Sequence, residues 1–572
     1  MPTGGGDRRL RRGAFAVSGP TEGAQLATGT PGKTLAEPPS LETVLKRNSV
    51  ERLKREKSPL VMLDELPTLI ATGYADIAEE DIVRLKWWGL YHDKPKIGTF
   101  MLRIKLPAGR LTPEQLRVIG ELSLEHGRDA GELSTRQTVQ LHYLELRSLP
   151  DVFARLEAVG LTTAGACGDA VRNTTGCPVH GLAHDELFDI TPILDEIAEF
   201  FYGNPDYTDL PRKHKISISA CPTRCNAPEI NCISLVGVIH DGEPGFAVLV
   251  GGGLSSVPRV ARDLGVFVTV EQTLPVLRAI LDAWREDLRY RISRVKARLK
   301  FMVDDFGPEG IRAEVERRLG HALPDYTLEP LDVEPVTHMG IHPEKTAGLN
   351  SVGVPVHLGL LSGAQMVALA DATEELGRDI RLTRQQNLVV TGIAETAVPA
   401  LTERLDGIGV PLDANLIRAN AIGCTGEPHC NYAVAETKTR LDRLIDGLEG
   451  RFGHDISGLR LHLDGCPHAC GQHWVGDLGF QGTTARDPNG QRHQAYDILL
   501  RGALGPRAAI GRPVFKRVPS EELDDAVQGL VAGWLGTRLP DESFRAFCDR
   551  STDAELAAFA GRDAAPAKTA AA

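Results

Sequence analysis

Phe100, Leu102, Ile104 and Leu106 take every second position in F-M-L-R-I-K-L, residues 100–106, with Arg103 and Lys105 between them. Strand side chains point to opposite faces in turn, so the spacing predicts a strand with one apolar face and two cations on the other. The period then lengthens. In L-T-P-E-Q-L-R-V-I-G-E-L-S-L-E-H-G, residues 111–127, it predicts an amphipathic helix entered through Thr112-Pro113 and ended at Gly127. A second strand follows, with Arg136, Thr138, Gln140 and His142 on one face. K-H-K-I-S-I-S-A, residues 213–220, is a third, with Lys213 and Lys215 side by side. Residues 329–350, rich in Pro, Glu, Gly and His, read as a connector. The first 40 residues and the closing A-A-P-A-K-T-A-A-A read as disordered.

The pattern occurs twice. S-T-R-Q-T-V-Q-L around Arg136 matches L-T-R-Q-Q-N-L-V around Arg384, 248 residues on. R-N-T-T-G-C, with Arg172 and Cys177, matches R-A-N-A-I-G-C, with Arg418 and Cys424, at 246 to 247. Cys221 and Cys225 match Cys466 and Cys470 at 245. Four landmarks in one order at a nearly constant offset mark a single duplication; a solenoid would repeat several-fold more often. Two related halves pack most simply about a pseudo-twofold axis, and a site on that axis draws residues from both.

The length of 572 residues allows three or four domains, and 42% hydrophobic with 24% charged residues is an ordinary soluble composition. No run of about 18 apolar residues predicts a membrane span. The N-terminus has paired arginines without the apolar stretch and small-residue cleavage site of an export signal, so a cytoplasmic protein is expected. A net charge of -12 argues against nucleic acid as a partner. Residues 43–57 are locally basic, which reads as a solvated helix face or as a docking patch for an acidic partner.

Ten cysteines in a long chain without an export signal do not form a secreted disulfide scaffold. Cys424, Cys430, Cys466 and Cys470 make C-x5-C followed by C-x3-C. Two loop-borne pairs suit an iron–sulfur cluster or zinc, with buried free thiols as the bland alternative. Zinc pairs are usually separated by two to four residues, and C-x5-C with C-x3-C fits that poorly. A [4Fe–4S] cube accepts more varied spacings.

The C-x5-C…C-x3-C pattern resembles the signature of sirohaem-containing sulfite and nitrite reductases. F-M-L-R-I-K-L-P-A-G, S-T-R-Q-T-V-Q-L-H, A-V-R-N-T-T-G and L-P-R-K-H-K-I-S follow in that family's order, over roughly residues 85–545. The resemblance implies an α+β, internally duplicated fold. It has two ferredoxin-like half-domains and two sirohaem-binding α/β domains about a pseudo-twofold axis. The expected units are a disordered stretch or extension with a basic segment at 1–57, half-domains at 58–164 and 346–417, larger domains at 165–345 and 418–550, and a disordered tail at 551–572. It further implies a [4Fe–4S] cluster on Cys424, Cys430, Cys466 and Cys470, with Cys470 also the ligand of the sirohaem iron. Arg103, Arg172, Lys213 and Lys215 would grip the anionic substrate, while Arg136, Gln140 and Arg212 match positions that contact sirohaem. Adjacent lysines on one strand face are costly without an anion, which supports part of this independently. Cys167 is expected near the pocket. Cys177, Cys221, Cys225 and Cys232 are expected to be buried, inert thiols, the alternative being a second metal centre.

In that family a K-x-K pair, as in R-K-H-K here, is more usual in sulfite reductases. Sulfite is therefore the expected substrate and nitrite the alternative. No G-x-G-x-x-G opens a helix after a strand, and V-G-G-G-L-S-S at 250–256 reads as a turn or a hold for a sirohaem carboxylate. Without a flavin or nicotinamide domain, electrons are expected from ferredoxin or a flavoprotein, to a monomer. The competing readings are a corrin-biosynthesis oxygenase of the same fold and a non-redox zinc-binding protein.

Overall fold

The computed structural model describes Leu35 and residues 37–563. The ends expected to be disordered lie, apart from Leu35, residues 37–40 and residues 551–563, outside the described residues. The last of these are ordered: a capping box between Thr552 and Glu555 opens helix Asp553–Ala560, whose Leu556 is buried in the second-half core. The rest is a mixture of helices and four sheets. Two sheets form a central pair. In one, Leu90–His92, Thr99–Arg103, Val139–Glu145 and Gly131–Leu133 lie in that order, all antiparallel. In the other, Gly340–Pro343, Leu349–Val354, Leu388–Ala394 and Ile380–Leu382 repeat the arrangement, and Arg110–Leu111 of the first half pairs on at the edge. The exchange is reciprocal, because Leu360 of the second half bridges to Glu132 of the first. One apolar core runs through both sheets, from Leu102 and Leu141 to Val352 and Leu388.

Each half continues into a five-stranded sheet of identical order. Thr175–Gly176, Ile216–Ser219 and Ile233–His240 are parallel, and Glu243–Val250 and Arg262–Thr269 then run antiparallel. Ile422–Gly423, Leu461–Asp464, Leu478–Arg486, Arg492–Leu500 and Arg512–Pro519 copy this in the second half. Each sheet has its own core. Cysteines leave the carboxyl ends of the first two parallel strands in both copies, the end where open α/β sheets bind ligands.

Local chemistry explains the paired helices. Helix Pro113–His126 starts with a capping box between Thr112 and Gln115, and helix Gly363–Leu376 with one between Ser362 and Gln365. The two helices cross closely at glycines. A Cβ on Gly120 would lie 2.7 Å from the Gly363 carbonyl oxygen, and one on Gly363 2.6 Å from that of Gly120.

Several sequence expectations need correction. The strand at 100–106 ends at Arg103, although all four apolar side chains are fully buried. Lys105 turns inward, donates to the Val171 carbonyl at 2.9 Å and lies 3.6 Å from the Tyr202 ring centre. Arg136 sits at a hairpin tip, before the strand Val139–Glu145, because Gln137 takes a left-handed conformation (φ 53°) that closes the turn. The strand expected from Lys213 begins at Ile216; before it, only His214 makes a bridge, to Val171. The connector contains strand Gly340–Pro343, paired to Leu349–Val354. The basic segment forms helices Leu41–Arg47 and Ser49–Glu56. It is not wholly a solvated face, since Lys54 is buried against Glu51 (2.6 Å) and Asp209 (2.8 Å).

Candidate functional site

In the second half, D-G-C-P-H-A-C-G-Q-H is organised by its first residue. Buried Asp464, at the end of its strand, accepts from the backbone N–H of Gly471 at 2.6 Å and of His473 at 3.2 Å, and pairs with His473 Nδ1 at 2.8 Å. The loop between is thereby closed over Cys466 and Cys470. Gly482 allows this packing: a Cβ on it would lie 2.7 Å from the Gly465 backbone. Cys424 leaves the neighbouring strand, its N–H bonded to Leu463 O at 3.0 Å, and its sulfur accepts from Gly465 N at 3.4 Å. Cys430 N donates to Gly426 O at 2.7 Å. Cys466 is buried, Cys424 and Cys430 half-buried, and Cys470 exposed. Burial pushes the Cys466 thiol up to about 12, and Cys424 and Cys430 also rise with burial. Such thiols ionise only with a cation to hold.

Facing this loop, the first half contributes cations. Arg103 and Lys213 both lie within electrostatic reach of the Cys470 sulfur. Arg172 donates to the carbonyls of Ala166 (3.0 Å) and Gly168 (2.8 Å). Arg212 binds Asp169 at 3.2 Å, a carboxylate it shares with Arg294. Among the described residues, neither Lys213 nor Lys215 forms an ion pair with a carboxylate. Burial, then Arg172, Arg298 and Arg212, push Lys213 down to about 7, against a raising pull from Cys470. Lys215 falls well below its ordinary value through burial, then Arg136 and Lys213. Arg136 reaches Asn231 Oδ1 (2.6 Å) and the Asn173 (2.5 Å) and Ile216 (3.0 Å) carbonyls. The Nε atoms of Arg136, Arg172 and Arg298 are buried without a hydrogen-bond partner. Burying a charged donor unmatched is costly, so this donor set fits a polyanionic group.

Gln140 is engaged at both ends. Its Oε1 accepts from Arg103 Nε at 3.0 Å and also from Nη2, and its Nε2 donates to Glu132 (3.0 Å) and Thr425 Oγ1 (3.1 Å). It ties Arg103 to the residue after Cys424. Glu132 also meets Lys438 at 3.2 Å and His142 at 3.6 Å, and His142 meets Asp93 at 3.2 Å. Cys167 does stand at the pocket, 3.4 Å from Arg103 Nη1.

The sequence reading missed Arg298 and Lys300. Arg298 Nη2 donates to Cys232 Sγ at 3.1 Å. Lys300 Nζ donates to the carbonyls of Gly253 (3.2 Å) and Leu254 (2.7 Å), so the glycine-rich stretch is a turn held by a lysine. The available signal was the basic residue at every second position in R-V-K-A-R-L-K, residues 294–300.

The other early cysteines divide. Cys232 goes to Arg298. Cys177, Cys221 and Cys225 converge with His338 of the connector, their ligand atoms all within 4.8 Å of one another.

Comparison with known proteins adds the following. Residues 167–323 match the family model described as the nitrite and sulphite reductase 4Fe-4S domain, which places that match on the copy bearing Cys177, Cys221 and Cys225. Residues 92–159 and 342–408 match the nitrite/sulfite reductase ferredoxin-like half domain, in line with the duplicated fold read from the sequence. A "Sulfite reductase [ferredoxin]" of Mycobacterium tuberculosis is 34% identical over 536 residues, covering 89% of this chain and 96% of the relative. A "Ferredoxin--nitrite reductase" of Leptolyngbya laminosa is 35% identical over 513 residues, covering 86% and 98%. The solved structure of the Mycobacterium tuberculosis NirA protein superposes with a TM-score of 0.85 at 33% identity, covering 89% of this chain and 97% of that one.

Proposed function

The chain belongs to the nitrite and sulphite reductase family, and from that premise we propose that it reduces sulfite to sulfide with electrons from ferredoxin. The cofactors are sirohaem and a [4Fe–4S] cluster. We assign the cluster to Cys424, Cys430, Cys466 and Cys470, with Cys470 shared with the sirohaem iron. Arg136 and Arg212 hold sirohaem carboxylates, with Gln140 as the link between Arg103 and the Cys424 loop. The observation that carries this is the placement of Arg103 and Lys213 within electrostatic reach of Cys470, among guanidinium groups whose buried Nε atoms lack partners. When bound, the two coupled centres supply six electrons one at a time.

The chain's own residues supply the rest. Arg103 and Arg172 offer fixed guanidinium forks that orient an oxyanion and balance its charge, and they do not release protons. Lys213, depressed to about 7, holds a proton that it can give up near neutral pH. Each substrate oxygen leaves as water and needs two protons. An anion between Lys213 and Lys215 favours their charged forms, and the second ammonium suits dianionic sulfite. Asp464, through Gly471 and His473, holds the Cys470 loop in place.

Nitrite is the second reading, favoured by the similarity to a protein named ferredoxin–nitrite reductase. We further propose a cytoplasmic monomer with no nucleic-acid or membrane partner, divided at the boundaries read from the sequence except the last, since helix Asp553–Ala560 belongs to the second larger domain. The net charge of -12 supports the exclusion of nucleic acid. Among the described residues no helix is long and apolar enough to cross a membrane. The test is the visible spectrum and acid-labile sulfide of anaerobically purified protein, with steady-state rates on reduced methyl viologen for each anion. Turnover of sulfite with the larger kcat/KM supports the assignment; colourless, sulfide-free protein overturns it.

A further inference from the structure

We propose that the first half carries a second metal site, a mononuclear zinc held by the thiolates of Cys177, Cys221 and Cys225 and a ring nitrogen of His338. The four ligand atoms all lie within 4.8 Å of one another, and Cys177 Sγ stands 3.6 Å from His338 Nε2. Tetrahedral zinc with Zn–S bonds of about 2.3 Å separates its ligand atoms by roughly 3.8 Å. A cube places its four thiolates on four different irons and keeps them further apart. Among the described residues, no three of Cys424, Cys430, Cys466 and Cys470 form a group as tight as the first-half set. The two copies therefore hold their sulfurs at different spacings, one suited to a single ion and the other to a cluster.

The duplication explains the ligand set. C-P-V-H-G-L-A at 177–183 runs in step with C-T-G-E-P-H-C at 424–430, and Ala183 stands where the second half has Cys430. Three of the four positions that carry cysteine in the second half carry it in the first as well. The fourth is filled from outside the repeat, by a histidine of the connector 161 positions from Cys177. Cys221 and Cys225 keep the C-x3-C spacing within the range usual for zinc, and three cysteines with one histidine is a common structural zinc set.

The surroundings hold His338 for this purpose. Its backbone is left-handed, φ 59°, which is uncommon for a residue other than glycine and needs support from its neighbours. That support surrounds it. Arg224 Nη2 donates to Glu329 O at 2.6 Å, Val336 N to Thr223 Oγ1 at 3.4 Å, and Lys345 N to Leu182 O at 2.7 Å. Across the site, Arg384 Nε donates to Cys225 O at 2.9 Å, which puts a guanidinium beside a centre made net negative by three thiolates. With four protein ligands the site is closed. It clamps the connector and the Arg384 hairpin to the first cysteine loop and does no chemistry on substrate.

Metal analysis of the desalted holoenzyme, expressed with zinc supplied, tests this. The expected result is one zinc per chain beside the iron, with a zinc-edge X-ray absorption spectrum fitted by three sulfurs at about 2.3 Å and one nitrogen at about 2.0 Å. Cys221→Ser and His338→Ala should each lose the zinc and keep the iron content and visible spectrum of the parent. His338→Ala alters only the half-buried connector ligand, and the parent's own stoichiometry and edge spectrum stand without any variant. Zinc-free protein, zinc retained by both variants, iron in the site, or a disulfide among the three cysteines would each overturn the proposal. The outcome is independent of the reductase assignment, which is read from the sirohaem spectrum and the rates.

Discussion

Thr135 donates its hydroxyl to the carbonyl oxygen of Cys470 across 2.9 Å. The pseudo-equivalent hairpin does the converse, with Arg384 on the carbonyl of Cys225. Each half thus rests a hairpin tip on the other half's cysteine loop, and the pseudo-twofold axis becomes a pair of crossed hydrogen bonds. Thr135→Val removes one bond, worth about 1 kcal/mol, without emptying the site. Iron per chain should be unchanged, while the electron paramagnetic resonance signal of the haem shifts and kcat falls by less than about tenfold. An unaltered signal with unaltered kcat would show that the contact does not steer Cys470.

If Lys213 delivers protons as proposed, Lys213→Met should lower kcat on sulfite by about a hundredfold or more. Lys215→Asn should cost sulfite more kcat/KM than nitrite, because it removes the second positive charge offered to a dianion. Equal losses for both anions would place Lys215 outside substrate discrimination.

The same lysine sets a pH dependence. The ammonium of Lys213, held at about 7, is protonated below that value. If it is the acid of the free enzyme, kcat/KM for sulfite falls as pH rises through about 7, and Lys213→Arg, whose guanidinium does not release a proton, lowers the rate and removes that fall. A profile that stays flat from pH 6 to pH 8 in the parent would remove Lys213 from that role.

Stability carries a second pH signature. His142 is raised to about 9: burial lowers it, and Asp93 and Glu132 more than compensate. Its contribution is fully present below the ordinary histidine value of about 6.5 and is lost as pH rises through about 9. Asp93 is lowered to about 2, its burial outweighed by His142 and His429, so its contribution is present above about 3.9 and lost as pH falls through about 2. The melting temperature of the parent should therefore decline between pH 6.5 and 9, and that decline should flatten in His142→Gln. Parallel curves for the two proteins would rule out the pairing.

The crossing of helices Pro113–His126 and Gly363–Leu376 leaves no room for a methyl group at Gly120. Gly120→Ala should destabilise by about 1–3 kcal/mol despite the better helix propensity of alanine, seen as a lowered melting temperature. A rise would mean that the helices separate freely.

Part of the site was legible because its signals are local. Cys424 and Cys430, Cys466 and Cys470, and Lys213 and Lys215 are close neighbours in the chain, so spacing grouped them. Asp464, which organises the second cysteine pair, was not read from the sequence, because its partners Gly471 and His473 are met only when the loop closes. Gln140 is read as a cofactor contact from the family resemblance; that it also ties Arg103 to Glu132 and Thr425 is visible only in the fold. Arg136 was read onto a strand because a period of two continues smoothly into a turn, and only the left-handed backbone of Gln137 ends it.

The sequence by itself determined the duplication, the alternation that buries Phe100 through Leu106, the helix entered through Thr112-Pro113, and the four-cysteine pattern of the second half. All of these are periodicities and spacings that a linear chain displays. Tertiary structure alone decided that Leu111 completes the other half's sheet, that Lys54 and Lys105 are buried, and that His338 meets Cys177. Those depend on how loops of unlike length close between distant strands. The apolar cores set that closure, and no local period encodes it.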